Sequence, residues 1–118
     1  MITTLDATTV HATPNAVMRR YPATTVALWR TEMAPGASGP THAVDHEQAV
    51  VVLHGVLEVA VDGVAQTASA GDAVTIPADA ERQLTNRGDT PLVTLTAALP
   101  GLVARVAGGD PVEVPWAT

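Results

Sequence analysis

Two segments with alternating apolar residues, VLEVAV (56–61) and VAQTA (64–68), are separated by only Asp62 and Gly63. An Asp-Gly pair between such segments is the strongest short-range signal for a β-hairpin, because a type I′ turn needs positive φ at both central positions. The sequence therefore predicts a tight antiparallel hairpin near its centre.

Further short segments rich in β-branched residues flank this hairpin, and glycine, proline, aspartate and asparagine separate them. We predict strands in TTVALWRTE (24–32), EQAVVVL (47–53), AVTI (73–76), RQLTN (82–86), LVTLTAA (92–98), LVARV (102–106) and VEVPW (112–116). Many short strands at close spacing, with almost no helical pattern, predict an all-β sandwich or barrel. No linker divides the chain, so residues 1–118 are expected to form one domain.

Two segments carry expectations of their own. The run AVVVL (49–53) is apolar at both alternating sets of positions, which predicts a strand covered on both faces. The first 22 residues have the weakest pattern. We expect them to add a strand, either within the chain or by exchange with a partner subunit.

Small aliphatic residues must build the core, because the chain has no Phe, two Trp and one Tyr. Such side chains leave more open volume inside a barrel than aromatic rings do, which favours a cavity for a small-molecule ligand. The net charge is −6, and none of the six basic residues is Lys. Nucleic acid and membrane surfaces are not expected as partners, because both need a basic face.

The absence of Lys and of Cys excludes several chemistries. Without Lys, Schiff-base chemistry is excluded, and without Cys, so are disulfides, thiolate nucleophiles and Cys-ligated metals. The first ten residues, MITTLDATTV, have neither the basic start nor the apolar stretch of a signal peptide. We therefore expect a soluble, cytoplasmic protein.

Six residues in two blocks have a distinctive spacing: Gly36, His42 and Gly55 in residues 36–55, and Gly71, Pro77 and Asn86 in residues 71–86. In order and spacing these blocks resemble the two motifs of the cupin family. The resemblance implies an all-β, cupin-type double-stranded β-helix, which is a jelly-roll-like barrel, with the first motif at 36–55 and the second at 71–86.

The resemblance also implies where a metal would bind, since cupins hold it with two His and a Glu of the first motif and one His of the second. Those positions are His42, Val44, Gln48 and Arg82 in this chain. Valine offers no ligand, and a protonated arginine cannot coordinate a cation. No metal or other cofactor is therefore favoured, although a divalent transition metal is left open. Asp79 replaces a motif glycine, and aspartate tolerates left-handed backbone geometry.

The same positions supply the candidate site. We take His42 as the catalytic residue, and Arg82, Gln48 and Arg30 as substrate-binding residues. Arg82 would hold a carboxylate, phosphate or enolate oxygen, Gln48 would orient the ligand and His42 would move a proton. Each has a structural alternative: His42 and Gln48 as hydrogen-bonded wall residues, Arg82 paired with a nearby carboxylate, and Arg30 turned outward beside an inward Trp29.

His46 lies four residues after His42, a spacing that places both on one face of a strand. If a metal is bound, the predicted ligands are His42, His46 and Gln48. The alternative is that His46 lies in an exposed bend and binds nothing.

Three functions follow from the resemblance and these residues. The first is a cupin that binds or converts a small anionic or polar metabolite without the full family metal site. The second is a metal-dependent dioxygenase, cyclase or lyase with a reduced ligand set. The third is a non-catalytic sensor or dimerisation module. Single-cupin proteins usually pair, so the resemblance also implies a homodimer.

Overall fold

A computed structural model describes all 118 residues, and strands dominate it. The strands are β1 (Thr9–Ala12), β2 (Val17–Arg20), β3 (Ala27–Met33), β4 (Ala43–Val44), β5 (Gln48–His54), β6 (Val56–Val61), β7 (Val64–Ser69), β8 (Ala73–Ile76), β9 (Arg82–Asn86), β10 (Leu92–Ala98), β11 (Val103–Arg105) and β12 (Val112–Glu113). Two 3₁₀ turns, Leu5–Ala7 and Pro115–Ala117, complete the chain. The predicted all-β class is confirmed.

The strands form three antiparallel sheets. The largest has the order β1-β2-β3-β10-β5-β8, and the two smaller sheets have the orders β7-β6-β9 and β12-β11-β4. Strands β5, β8 and β10, which are distant in sequence, are neighbours in the large sheet. The pairing of β5 with β8 and an isolated bridge between His42 and Arg82 bring the two motif blocks together.

The central hairpin forms as predicted. Strands β6 and β7 pair from Val56–Ser69 to Val61–Val64, so Asp62 and Gly63 are the two turn residues. Their φ angles are 48° and 82°, the left-handed values that a type I′ turn requires. Asp79 also adopts a left-handed φ of 65°, so aspartate does preserve the turn where the motif has glycine.

The N-terminal residues add two strands rather than one. Strand β1 pairs with β2, and β2 pairs with β3 of the same chain. They extend the large sheet at the β3 edge. At the other terminus, the predicted strand 112–116 is shorter than expected: only Val112–Glu113 is strand, and Pro115, which lacks an N–H for a ladder, begins a 3₁₀ turn.

Two clusters of buried side chains form the core. One lies between the large sheet and the β6–β7 hairpin and consists of Met33, Val50, Val52, Leu57, Val59, Ala68, Ile76, Ala80 and Leu92. The other packs the C-terminal segment against β2, β3 and β10 and consists of Met18, Ala27, Trp29, Val44, Ala98, Leu102, Val114 and Ala117.

Strand β5 corrects one expectation. Its inward face is buried at Val50 and Val52, but Ala49 and Leu53 on the outward face are exposed. The prediction of a strand covered on both faces is therefore wrong for the single chain.

The structure contains no helix with the length and apolar character needed to span a membrane.

Candidate functional site

A cavity of about 390 Å³ opens between the inner face of the large sheet, the segment before β4 and the C-terminal segment. Small-molecule pockets commonly measure about 300–1,000 Å³, so this volume suits a small ligand. Apolar side chains from both core clusters form most of the wall. The polar residues on the wall are Thr13, Asn15, Thr31, His42, Gln48, Thr94, Thr96 and Glu113.

His42 is fixed by its backbone before its side chain is considered. Its N–H donates to the Arg82 carbonyl at 2.9 Å, and its carbonyl accepts from the Arg82 N–H at 2.8 Å. The two residues are thus direct antiparallel partners, with side chains on the same side. This bridge connects the first motif to the second.

The imidazole of His42 has a defined hydrogen-bonding state. Its Nδ1 lies 2.8 Å from the carbonyl oxygen of Pro40, which can only accept, so Nδ1 carries the proton. Burial lowers the pKa of His42 below 6.5, and the positive charge of Arg82 adds to the lowering, while the Pro40 hydrogen bond opposes it. The ring is neutral at pH 7, and Nε2 presents a lone pair.

Arg82 is buried, with 1% of its surface exposed, and the structure places it behind the cavity wall instead of on it. Its Nε donates to the Ala80 carbonyl at 3.0 Å and its Nη2 to the Pro77 carbonyl at 3.3 Å. Its Nη1 donates to Gln48 Oε1 at 2.6 Å. Burial lowers the pKa of Arg82, and the Asp62 carboxylate opposes this. The guanidinium is held by neutral oxygens, so neither the predicted anion contact nor the alternative pairing with a carboxylate describes its contacts.

Gln48 is the residue through which Arg82 acts on the cavity. Because arginine only donates, Gln48 must turn its amide oxygen toward Arg82, which fixes an orientation that is otherwise ambiguous for an amide. The amide Nε2 makes no hydrogen bond within the chain, and Gln48 lines the cavity. The site therefore presents a donor at Gln48 Nε2 and an acceptor at His42 Nε2.

The structure does not bring Arg30 or His46 to the cavity. Strand alternation turns Trp29 inward and Arg30 outward, where Arg30 Nη1 lies 3.6 Å from Glu32 Oε2. His46 lies in a bend and its Nδ1 is 2.8 Å from Asp45 Oδ1. Arg30 therefore leaves the candidate site, and His46 does not join His42 and Gln48.

The donor set does not fit a cupin metal. Of the four family positions, Val44 has no donor atom, Gln48 Oε1 already accepts from Arg82, and Arg82 places a buried positive charge there. No three His, Cys, Asp or Glu side chains form a group that could hold a metal ion.

Sequence reasoning named Trp29 only as the inward neighbour of an outward Arg30, and it missed several other residues of the cavity wall. Both tryptophans of the chain, Trp29 and Trp116, line it, as do three threonines of β3 and β10. The rarity of tryptophan was an available signal. The threonines had none, because threonine in a strand is ordinary.

Comparison with known proteins decides the family. The sequence model described as "Cupin domain" matches residues 29–98, more than half of the chain. The chain is a cupin. No curated protein sequence matches this cupin significantly.

Solved structures share the fold at low sequence identity. A sugar phosphate isomerase of the cupin superfamily from Silicibacter pomeroyi superposes with a TM-score of 0.76 at 20% identity, over 93% of this chain and 84% of that one. The polyketide cyclase RemF from Streptomyces resistomycificus gives 0.73 at 17% identity, over 86% and 82%. An oxalate oxidase gives 0.68 at 23% identity, over 77% of this chain but only 56% of its own. At these identities the likeness supports the fold alone.

Proposed function

We propose that this cupin binds a small, neutral, oxygenated compound in its cavity and transfers a proton on it with His42, without a metal. The observation that carries the proposal is the 2.6 Å hydrogen bond from Arg82 to Gln48 Oε1. This hydrogen bond leaves Gln48 Nε2 as a free donor on the wall of the cavity that His42 also lines.

Matching one donor and one acceptor favours a neutral group over an anion. A ligand carbonyl or hydroxyl oxygen accepts from Gln48 Nε2, and a ligand N–H or O–H donates to His42 Nε2. A carboxylate offers only acceptors, so it would leave His42 Nε2 facing a lone pair. The largely apolar wall would also strip the carboxylate of water without a directly paired charge, because Arg82 is buried, does not line the cavity, and directs three of its five N–H donors to Gln48 and two carbonyls.

The same two groups suit proton transfer next to a carbonyl. His42 Nε2 takes the proton as the C–H bond breaks, and the electron pair moves to the carbonyl oxygen as an enolate. Gln48 Nε2 donates to that oxygen, and the buried charge of Arg82 polarises the amide from behind. Return of the proton to the same carbon completes an exchange or an epimerisation, and its delivery to the enolate oxygen or to a conjugated carbon completes a tautomerisation. Two of the similar structures are described as an isomerase and a cyclase, which is consistent with small-molecule chemistry.

Benzamide and benzoate test the binding step, because they share one framework and differ in charge and in the donor. We expect isothermal titration calorimetry to give at least about tenfold tighter binding of benzamide, as expected when a charge is buried unpaired. Gln48→Glu should remove this preference, because a carboxylate paired with Arg82 has no N–H for the ligand. Preference for benzoate by the unaltered chain would overturn the proposal and return Arg82 to an anion-binding role.

Deuterium exchange tests the proton transfer. We expect the protein to accelerate exchange of the α-protons of 2-tetralone in D₂O, followed by NMR, and His42→Ala to abolish the acceleration. His54→Ala is a matched control, because His54 Nδ1 also lies near a proline carbonyl, Pro91 O at 3.1 Å, but His54 is exposed and outside the cavity. Equal loss in both variants, or no acceleration by the unaltered chain, would refute the role of His42.

A further inference from the structure

Three threonines form a polar strip across the large sheet on the cavity wall. Thr94 and Thr96 of β10 are 3% and 5% exposed, and Thr31 of β3 pairs directly with Thr94. All three line the cavity, yet none of their hydroxyls makes a hydrogen bond to another protein group. The only fully enclosed side-chain polar atom without a partner is Nε of Arg20, so these hydroxyls are reachable from the cavity.

Hydroxyls in such a position can form hydrogen bonds to a ligand in the cavity. Hydroxyls that are reachable from the cavity can bind water in the free protein, so a ligand that displaces this water must offer them a hydrogen-bond partner. Valine already fills the neighbouring inward positions at Val50 and Val52 of β5. The threonines therefore add hydrogen-bonding groups, which a ligand can use, to an otherwise largely apolar wall.

The register gives the spacing between this strip and the proton-transfer groups. Gln48 pairs with Ala98, two residues from Thr96 on the same face of β10. Such diagonal neighbours lie about 7–8 Å apart, and Thr94 follows about 7 Å further along the strand. The positions of Gln48 and Thr96 are therefore separated by a distance that two fused rings with an oxygen at each end can span.

The walls between these polar points suit an aromatic framework. Trp29 lies on β3 directly opposite Thr96, and Trp116 closes the cavity from the C-terminal turn. Met18 and Met33 add polarisable sulfur to the same wall.

We infer that Thr96, continued by Thr94 and Thr31, is a second polar subsite, and that the cavity takes a flat, neutral, two-ring compound with an oxygen at each end. The inference rests on the proposed function, because one ligand oxygen occupies the His42–Gln48 end. The other oxygen hydrogen-bonds to Thr96 while the rings pack against Trp29.

The test compares 2,7-dihydroxynaphthalene, which has an oxygen on each ring, with 2-naphthol, which lacks the second oxygen. We expect calorimetry to show about three- to tenfold tighter binding of the diol, the value of one neutral hydrogen bond. Thr96→Val should weaken diol binding by that factor and leave 2-naphthol unchanged, and Thr96→Ser should retain the preference. Thr67→Val, at an exposed threonine of β7, is the control and should change neither affinity.

The outcomes separate this inference from the proposed function. If Thr96→Val weakens the binding of both naphthols equally, or of neither, the threonine subsite is refuted. Failure of both naphthols to bind while benzamide binds overturns the two-ring ligand and leaves the proposed function standing. Failure of all three neutral probes overturns both. The thermal midpoint of Thr96→Val guards against misfolding: we expect it unchanged or raised, since the hydroxyl makes no bond within the chain.

Discussion

Replacing Arg82 by methionine tests how the site is held together. The side chain is buried and donates to three oxygens, those of Ala80, Pro77 and Gln48. Methionine fills a similar volume without polar atoms, so the change removes the donors while leaving the packing largely intact. The two backbone carbonyls cannot reorient to find new partners.

The magnitude follows from those three contacts. A buried acceptor that loses its donor costs about 1–3 kcal/mol, and removal of the guanidinium recovers part of its desolvation. Taking the lower value for each oxygen, we expect a loss of about 3 kcal/mol in the free energy of unfolding. For a chain of this size that lowers the thermal midpoint by roughly 10 °C.

Urea unfolding followed by tryptophan fluorescence measures this loss, because Trp29 and Trp116 both lie on the cavity wall. Arg30→Met is the control: Arg30 is partly exposed and faces Glu32 at 3.6 Å, so its loss should cost less than about 1 kcal/mol. If Arg82→Met were as stable as the unaltered chain, the hydrogen bonds from Arg82 to Ala80, Pro77 and Gln48 would not contribute to stability. The argument that Arg82 fixes the orientation of the Gln48 amide would then be refuted.

Three further outcomes are expected. Because folding lowers the pKa of His42, the unfolded chain binds more protons than the folded chain below pH 6.5, and the free energy of unfolding should fall from pH 7.5 to pH 5. His42→Gln should flatten that slope, and an unchanged slope would contradict the assigned pKa direction. Gly63→Ala should lower the free energy of unfolding by about 1–2 kcal/mol, because alanine is strained at the left-handed φ of 82°. Gly55→Ala should lower it distinctly more, because the new Cβ would also lie 2.8 Å from the Pro91 carbonyl oxygen, and equal losses in urea unfolding would refute this steric argument. We expect a homodimer, with twice the 12.1 kDa chain mass by light scattering, and Leu53→Glu on the open face of β5 should yield monomer; a monomeric unaltered chain would exclude it.

Local chemistry let the sequence predict much of the fold. The turn at Asp62 and Gly63 needs only its own two residues, and β9 and β10 have the predicted bounds of 82–86 and 92–98. The N-terminal strands were harder to predict from the sequence, because β2 is stabilised by pairing with β3 and its own residues have only a weak strand pattern. The open face of β5 was mispredicted because an apolar pattern shows what a strand could bury, not whether a neighbour is present.

The site was predictable only as far as the motif extends. His42 and Gln48 do line the cavity, but Arg82 does not, because its partners include two backbone carbonyls, and no residue type announces those. Arg30 was uncertain for a different reason: in a strand, one of two neighbours faces inward, and only the burial of Trp29 and its place on the cavity wall showed which one it is.

The bridge between Arg82 and Gln48 also bears on which substitutions would give this chain the four metal-ligand positions of the family. Restoring histidine at Val44 alone would set a new donor beside a buried positive charge, with no gain in metal affinity. Restoring histidine at Arg82 alone would strand the carbonyls of Ala80 and Pro77 and destabilise the chain. Neither single step is favoured, and only both together, with Gln48 released, recover a ligand set. Because these residues are in direct contact, a full cupin ligand set in this chain would require coordinated change at several positions.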